Sequence, residues 1–225
     1  MILEKKSSYL NLNNIKLDER QEKIFGSLQN YLEMCHVYRS AMNELGSKLE
    51  NLDEEFHICH DRNPIHHMES RLKSPQSIIN KLIKKDLPVS LDSARKNITD
   101  IAGIRVICYY IQDIYSLVSL LVARGDICLI GKADYIEEPK PSGYRSIHLD
   151  VSVPVYIGDR TEHIPVEIQI RTIAMDFWAS LEHQLRYKAP EQVPVSLRAQ
   201  LKDCAQAIAE IDRKMEEIYS ELKEL

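Results

Sequence analysis

The chain has 225 residues, 44% of them apolar and 28% charged, with a formal net charge of −5. That suffices for one α/β core with helical additions and is ordinary for a globular protein. It argues against a general binder of long nucleic acid, which carries a basic face, and no apolar run approaches the ~20 residues that span a bilayer.

The chain starts Met-Ile-Leu-Glu-Lys-Lys-Ser-Ser, without the apolar core and small residues of a secretory signal. Residues 18–60 carry a helical pattern in which Leu28, Tyr31, Cys35, Tyr38, Met42, Leu45, Leu49, Leu52 and Phe56 recur alternately three and four apart. That is an unbroken heptad seam, weakened slightly at Gly46 and stopped by Pro64. A short strand is predicted over Met68–Ser74. Pro75 opens a helix with Ser74 placed to cap it. Further strands are predicted over Asp100–Tyr110, Ile127–Ile136, Ser146–Tyr156 and Glu162–Arg171. Helices are predicted over Ile111–Arg124 and Thr172–Ala189. Residues 194–225 carry a second seam through Leu197, Leu201, Cys204, Ile208, Ile211, Met215, Ile218, Leu222 and Leu225. This order gives an α/β or α+β chain on a mixed sheet. It divides into an N-terminal helical region (1–64), a central domain (65–190) and a C-terminal oligomerisation helix (191–225). The cysteines at 35, 59, 108, 128 and 204 are odd in number and scattered, which predicts reduced thiols in a cytosolic protein without disulfides.

The segment Lys-Ala-Asp-Tyr-Ile-Glu-Glu-Pro-Lys-Pro-Ser-Gly-Tyr-Arg-Ser-Ile-His, residues 132–148, leaves one strand, crosses a turn and enters another. Gly143 relieves the turn. Tyr144 offers a flat ring for a base, while Lys140, Arg145 and His148 suit phosphate. On the last strand Val166, Ile168 and Ile170 face a core, so Glu167, Gln169 and Arg171 share the opposite face. Ser146, His148 and Asp150 alternate likewise with Ile147, Leu149 and Val151. An ordinary solvent face accounts for this alternation equally well.

Between residues 71 and 96, Arg71, Lys73, Lys81, Lys84, Lys85, Arg95 and Lys96 face only Asp86 and Asp92. Such a stretch suits a compact anion, although Lys84, Lys85 and Lys96 fit a plain solvated face. Arg71 and Lys73 share a strand face, and Ser77 and Lys81 a helix face, near a helix N-terminus where anions are favoured. Arg105, inside an apolar strand, needs a carboxylate or a phosphate. Asp100 before it suits a turn cap, or Mg²⁺ held with phosphate oxygens. His57, Cys59, His60, His66 and His67 match no zinc spacing and read as a polar stretch at a helix end. The His60-Asp61 dipeptide of metal-dependent phosphohydrolases is a chance occurrence, because the chain lacks room for their helical domain.

The ordered set Arg71-x-Lys73-x-x-x-Ser77-x-x-x-Lys81, Asp100-Ile-Ala-Gly-Ile-Arg105, Tyr135-x-x-x-Pro139-Lys140-x-x-Gly143-Tyr144-Arg145-Ser146-x-His148, Val166-Glu167-Ile-Gln169-Ile-Arg171-Thr172 and Trp178-x-x-x-Glu182-His183-x-x-x-x-Tyr187-Lys188 resembles the synthetase domain of RelA/SpoT-homologue enzymes. The resemblance covers residues 65–190. Without a hydrolase domain or long regulatory region, the chain looks like a stand-alone small alarmone synthetase of the bacterial stringent response. The resemblance implies a mixed-sheet, nucleotidyltransferase-like synthetase fold. It implies transfer of the β,γ-pyrophosphate of ATP to the ribose 3′-hydroxyl of GDP or GTP.

By the same resemblance Arg71, Lys73, Ser77, Lys81 and Arg105 hold ATP, and Asp100 and Glu167 hold Mg²⁺. Glu167 also acts as base toward the 3′-hydroxyl. Tyr144 stacks on guanine, and Lys140, His148 and Gln169 orient the acceptor. The implied assembly is a cytoplasmic homo-oligomer, a tetramer as in small synthetases, with no membrane and no nucleic-acid substrate. Ala133 stands where many long homologues are charged, which bears on the choice between GDP and GTP. His67, Glu69 and Asp176 replace the aromatic residue, threonine and asparagine of product-activated relatives, so strong product activation is not expected. Two other functions compete. A plain nucleotidyltransferase would pair two carboxylates on one strand, and an RNA-binding module would leave Glu167, Asp100 and Arg105 without a role.

Overall fold

The structure is a computed structural model and describes residues 19–59, 62–188 and 194–223. The elements run α1 (Glu19–Cys59), β1 (Ile65–Leu72), α2 (Pro75–Lys84), α3 (Leu91–Asn97), β2 (Ala102–Cys108), α4 (Ile111–Ala123), β3 (Cys128–Asp134), β4 (Ile147–Ile157), β5 (Arg160–Thr172), α5 (Ile173–Lys188) and α6 (Val195–Lys223). The chain forms two compact units, Met1–Cys35 and His36–Leu225, and the second contains the sheet.

The sheet order is β1-β2-β5-β4-β3. β2 and β5 are parallel, and the other three pairings are antiparallel. A parallel pair needs a long crossover, here supplied by α4 and the β3–β4 hairpin. The sheet is therefore mixed, as the order of sequence signals predicts.

Period-two alternation gives the sheet two chemically distinct faces. Ala102, Ile104 and Val106 lie level with Val166, Ile168 and Ile170, and these with Val151, Leu149 and Ile147. All nine are buried. α4 adds Ile114, Leu117, Val118 and Leu121 to the buried set. Within the second unit α1 buries Val37, Tyr38, Ala41, Met42, Leu45, Leu49 and Leu52. That stripe is broader than the predicted seam, as a helix facing a globular core requires.

Several boundaries differ from the sequence reading. β1 begins at Ile65, not Met68, and His66 and His67 stand on this edge strand instead of at a helix end. Its residues are mostly exposed on both faces, so no alternation marks it. α3 carries no helical stripe in the sequence, since its seven residues are too few for one. Its cap is legible afterwards, with Ser93 N–H donating to Ser90 Oγ at 3.1 Å. His60 and Asp61 lie outside the described residues. Of the cysteines, Cys35, Cys108, Cys128 and Cys204 are free thiols.

α6 lies against the domain by a face offset from its predicted seam. Ala205 and Asp212 are buried, whereas Ile211, Met215, Ile218 and Leu222 stay more than half exposed. The indole of Trp178 donates to the Leu201 carbonyl at 3.1 Å. The far end is held by Arg62, whose guanidinium forks onto Asp113 and donates to the Tyr219 hydroxyl at 2.8 Å. The same group lies over the stacked rings of Tyr110 and Tyr219.

Candidate active site

The polar face of the sheet carries the site. In register across it stand Glu69 and Arg105, Arg71 and Gly103, Gly103 and Glu167, Arg105 and Gln169, Gln169 and His148, and Glu167 and Asp150. Gly103 leaves the middle of this face bare, and a cavity of about 580 Å³ opens there, lined by Glu69, Ser70, Arg71, Lys73, Asp100, Gly103, Ile104, Arg105, Glu167 and Gln169.

One end of the cavity is cationic. Lys73 and Lys81 each place Nζ 2.8 Å from Asp100 Oδ2. Burial pushes the Asp100 carboxyl up, but the two lysines outweigh it and hold it below its ordinary value. Lys73 is anchored by its backbone N–H, which donates to the Ile101 carbonyl at 2.8 Å. Ser77 stands in the first turn of α2, its hydroxyl 2.8 Å from that of the cap residue Ser74. Arg71 is exposed on β1. Arg105 reaches Asp176 at 3.4 Å and Glu69 at 3.5 Å, with Nε buried and without a partner.

The other end is aromatic. The loop between β3 and β4 closes by hydrogen bonds from Gly143 N–H to the Lys140 carbonyl and from Tyr135 N–H to the Ser146 carbonyl. Gly143 has φ +91°, and a Cβ there would lie 2.4 Å from the Ala205 Cβ, so α6 closes down on the one residue that can take this turn. Tyr144 packs against Trp178, Ala179 and Ala205. Lys140 Nζ lies 4.2 Å from the Tyr135 ring centroid and 4.7 Å from that of Tyr144. The Arg171 guanidinium is 5.0 Å from the Tyr144 centroid.

Glu167 lies between the two ends. His148 Nδ1 is 3.2 Å from its Oε1, and Gln169 Nε2 donates to Oε2 at 2.5 Å. Burial raises its carboxyl, but His148 and Gln169 bring the balance below the ordinary glutamate value. The carboxylate is thus held ionised, as an acceptor of hydrogen bonds. Asp150 beside it goes the other way, raised by burial and by the charges of Glu167 and Asp100 against one hydrogen bond from Thr99.

The residues bring a divalent cation within reach. Among the described residues no group of three or more His, Cys, Asp and Glu side chains converges on a metal position. However, Asp100 Oδ1 is buried without a hydrogen-bond partner, and carboxylate oxygens keep lone pairs beyond the bonds that Glu167 makes. Two carboxylates completed by phosphate oxygens match the way Mg²⁺ is held beside nucleotides, so the set fits.

Every residue singled out on β2, β4 and β5 lies on this face, and Lys73, Lys81 and Asp100 meet at its edge. Three participants were not given roles from the sequence. Arg171 was visible as a polar-face position, but only the fold shows it buried at 5% exposure. Tyr135 was visible in the spacing of the loop. Asp150 was visible by alternation.

A sheet face with cations at one end, stacking rings at the other and a hydrogen-bonded carboxylate between them defines a site for phosphates and a base. Residues 70–192 match the family described as "Region found in RelA / SpoT proteins". The chain is 44% identical to the GTP pyrophosphokinase YwaC of Bacillus subtilis, over 83% of this chain and 89% of that one. It is 37% identical to GTP pyrophosphokinase YjbM of the same organism, over 83% and 87%. Its fold superposes on the small alarmone synthetase 1 of Bacillus subtilis bound to its product pppGpp with a TM-score of 0.80, at 36% identity, covering 86% of this chain and 98% of that one. The chain belongs to the RelA/SpoT family.

Proposed function

We propose that this sheet face is where the chain, a (p)ppGpp synthetase of the GTP pyrophosphokinase class, moves the β,γ-pyrophosphate of ATP onto the ribose 3′-hydroxyl of GDP or GTP. The observation that carries the reading is Glu167, an ionised carboxylate held by His148 and Gln169 between a lysine-rich and an aromatic subsite. ATP occupies the cationic end. Lys73 and Lys81 exchange Asp100 for phosphate oxygens, with Arg71, Arg105 and Ser77 beside them. A solved relative, small alarmone synthetase 1 of Bacillus subtilis, is described bound to AMPCPP, which supports an adenine nucleotide as the donor.

The acceptor enters at the aromatic end. Tyr144 stacks on guanine, while Lys140, His148 and Gln169 orient the nucleotide. Glu167 takes the 3′-hydroxyl proton as the oxygen attacks the β-phosphorus, and AMP leaves. Such transfers ask a protein mainly for positioning and for cations around the moving group. Asp100 and Glu167 would hold Mg²⁺, which offsets charge on the transferred phosphates.

No described helix is long and apolar enough to cross a membrane, and both substrates are nucleotides of the cytoplasm, where we place the enzyme. The test is a product assay with ATP, Mg²⁺ and GDP or GTP. AMP and a 3′-pyrophosphorylated guanosine nucleotide are expected. Release of pyrophosphate with nucleotidyl transfer, or no guanosine product, would overturn the reading.

A further inference from the structure

Arg171 is a buried arginine on the site face, and nothing above gives it a task. One arm, Nη2, donates to the Tyr144 hydroxyl at 2.6 Å and to Gln169 Oε1 at 2.7 Å. The other, Nη1, donates to Asp176 Oδ1 at 3.1 Å. Asp176 Oδ1 is shared with Arg105 at 3.4 Å. From Tyr144 the contacts run on to His148 Nε2 at 2.7 Å, and from His148 Nδ1 to Glu167 Oε1 at 3.2 Å.

The two ends of this chain fix its direction. A guanidinium can only donate, and an ionised carboxylate can only accept. His148 must therefore present Nδ1–H to Glu167. In the neutral ring, Nε2 then has only a lone pair to offer Tyr144. With Arg171 already donating to the phenolic oxygen, the Tyr144 proton goes to Nε2. Every bond in the run Arg171, Tyr144, His148, Glu167 then points toward Glu167.

We propose that Arg171 is a positioning residue of the transfer reaction, orienting the Tyr144 hydroxyl so that its proton meets His148 Nε2 and the ring keeps its Nδ1–H on Glu167, and tying this run through Asp176 to Arg105. The acceptor ring, the base and a cation of the donor subsite thus belong to one unit joined by hydrogen bonds and the Arg105–Asp176 ion pair. This rests on the assignment of Glu167 as base. The removal of a residue that only filled space at this position would leave the His148 Nε2 resonance unchanged.

The experiment is ¹⁵N NMR of the histidine-labelled full chain near neutral pH, with the His148 signals assigned by their absence in His148→Gln. His148 is expected to show a protonated Nδ1 and a bare Nε2. Glu167 keeps Nδ1 protonated in Arg171→Met and Tyr144→Phe, but each should move the Nε2 resonance downfield, toward that of a lone pair without a hydrogen-bond donor. Each should also lower kcat by about tenfold or more, part of the 10²–10⁴-fold that a general base contributes, with the KM for ATP moved less than threefold. The double variant should be little worse than either single one, because both break one run. If Arg171→Met fails to fold, Tyr144→Phe, which keeps the ring, decides. An Nε2–H form of His148 in the unaltered protein overturns the proposal. So does a Tyr144→Phe protein with unchanged Nε2 resonance and rate. The tautomer is read without substrate, so a failed product assay would sink the synthetase reading and leave this measurement standing.

Discussion

Glu167, the proposed base, is held ionised by His148 and Gln169, which sequence order brings to its face of the sheet. His148 is level with Gln169 and Asp150 with Glu167, so a period of two places these four side chains next to one another. Glu167→Gln keeps the shape and removes the charge. Synthesis should fall by at least the 10²–10⁴-fold worth of a general base, with the fold intact by circular dichroism. Near-normal product formation would remove Glu167 from its role. Tyr144→Ala removes a stacking ring worth about 1–3 kcal/mol. Its KM for GDP or GTP should rise by roughly tenfold or more, with the KM for ATP close to unchanged; the opposite pattern would swap the two subsites. These residues were legible because alternation is local. Arg171 was legible only in part, since alternation gives its face but not its burial. The pairing of Asp100 with both Lys73 and Lys81 was not legible, because it joins the end of β1 and the helix α2 to a residue before β2 that is far from both in sequence.

One residue, Thr172, joins three elements, β5, α5 and α6. Thr172 ends β5, accepts the Met175 N–H at 3.1 Å as the cap of α5, and donates to Asp212 of α6 at 2.8 Å. Asp212 is buried, and its carboxyl is raised chiefly by that burial, against the Thr172 bond and the charge of Arg145. A carboxyl raised in the folded state costs stability once pH exceeds its unfolded pKa, in full above its folded one. Asp212→Asn keeps an oxygen for Thr172 and sheds the buried charge. The variant should unfold at a higher temperature than the unaltered chain near pH 7, with the gap closing as pH falls through the raised carboxyl range. A gap that is constant or reversed would show that the charge is fully offset by its partners. α5 and α6 were both legible from their periodicity, whereas this contact joins residues far apart in sequence that no stripe or cap connects. β1 and α3 escaped for the local reasons of edge exposure and shortness.

At the scale of the whole molecule, two features bear on control and assembly. Glu69 and Asp176 both lie within 3.5 Å of Arg105, where product-activated relatives, by resemblance, carry neutral groups. Each carboxylate near an effector phosphate disfavours it by about 1 kcal/mol at ~4 Å in water, and more where water is scarce. Initial rates with and without micromolar product should therefore differ by less than twofold, and a lag abolished by added product would show an effector site despite these acids. The exposed row Ile211, Met215, Ile218 and Leu222 along α6 is a different matter. Apolar side chains recurring on one helix face mark an interaction surface when they stay uncovered. The occupant we propose is a second copy of the chain, since homo-oligomers reuse one patch through symmetry, and the assembly a tetramer. Burying one isoleucine side chain contributes about 1.5–3 kcal/mol, and a symmetric contact counts each twice. Ile211→Asp with Ile218→Asp should then shift the mass by light scattering at micromolar concentration from oligomer to monomer. The two positions are exposed in the single chain, so its circular dichroism should stay unchanged. A monomeric mass for the unaltered protein would end the proposal, and an oligomer that survives both substitutions would move the interface off α6.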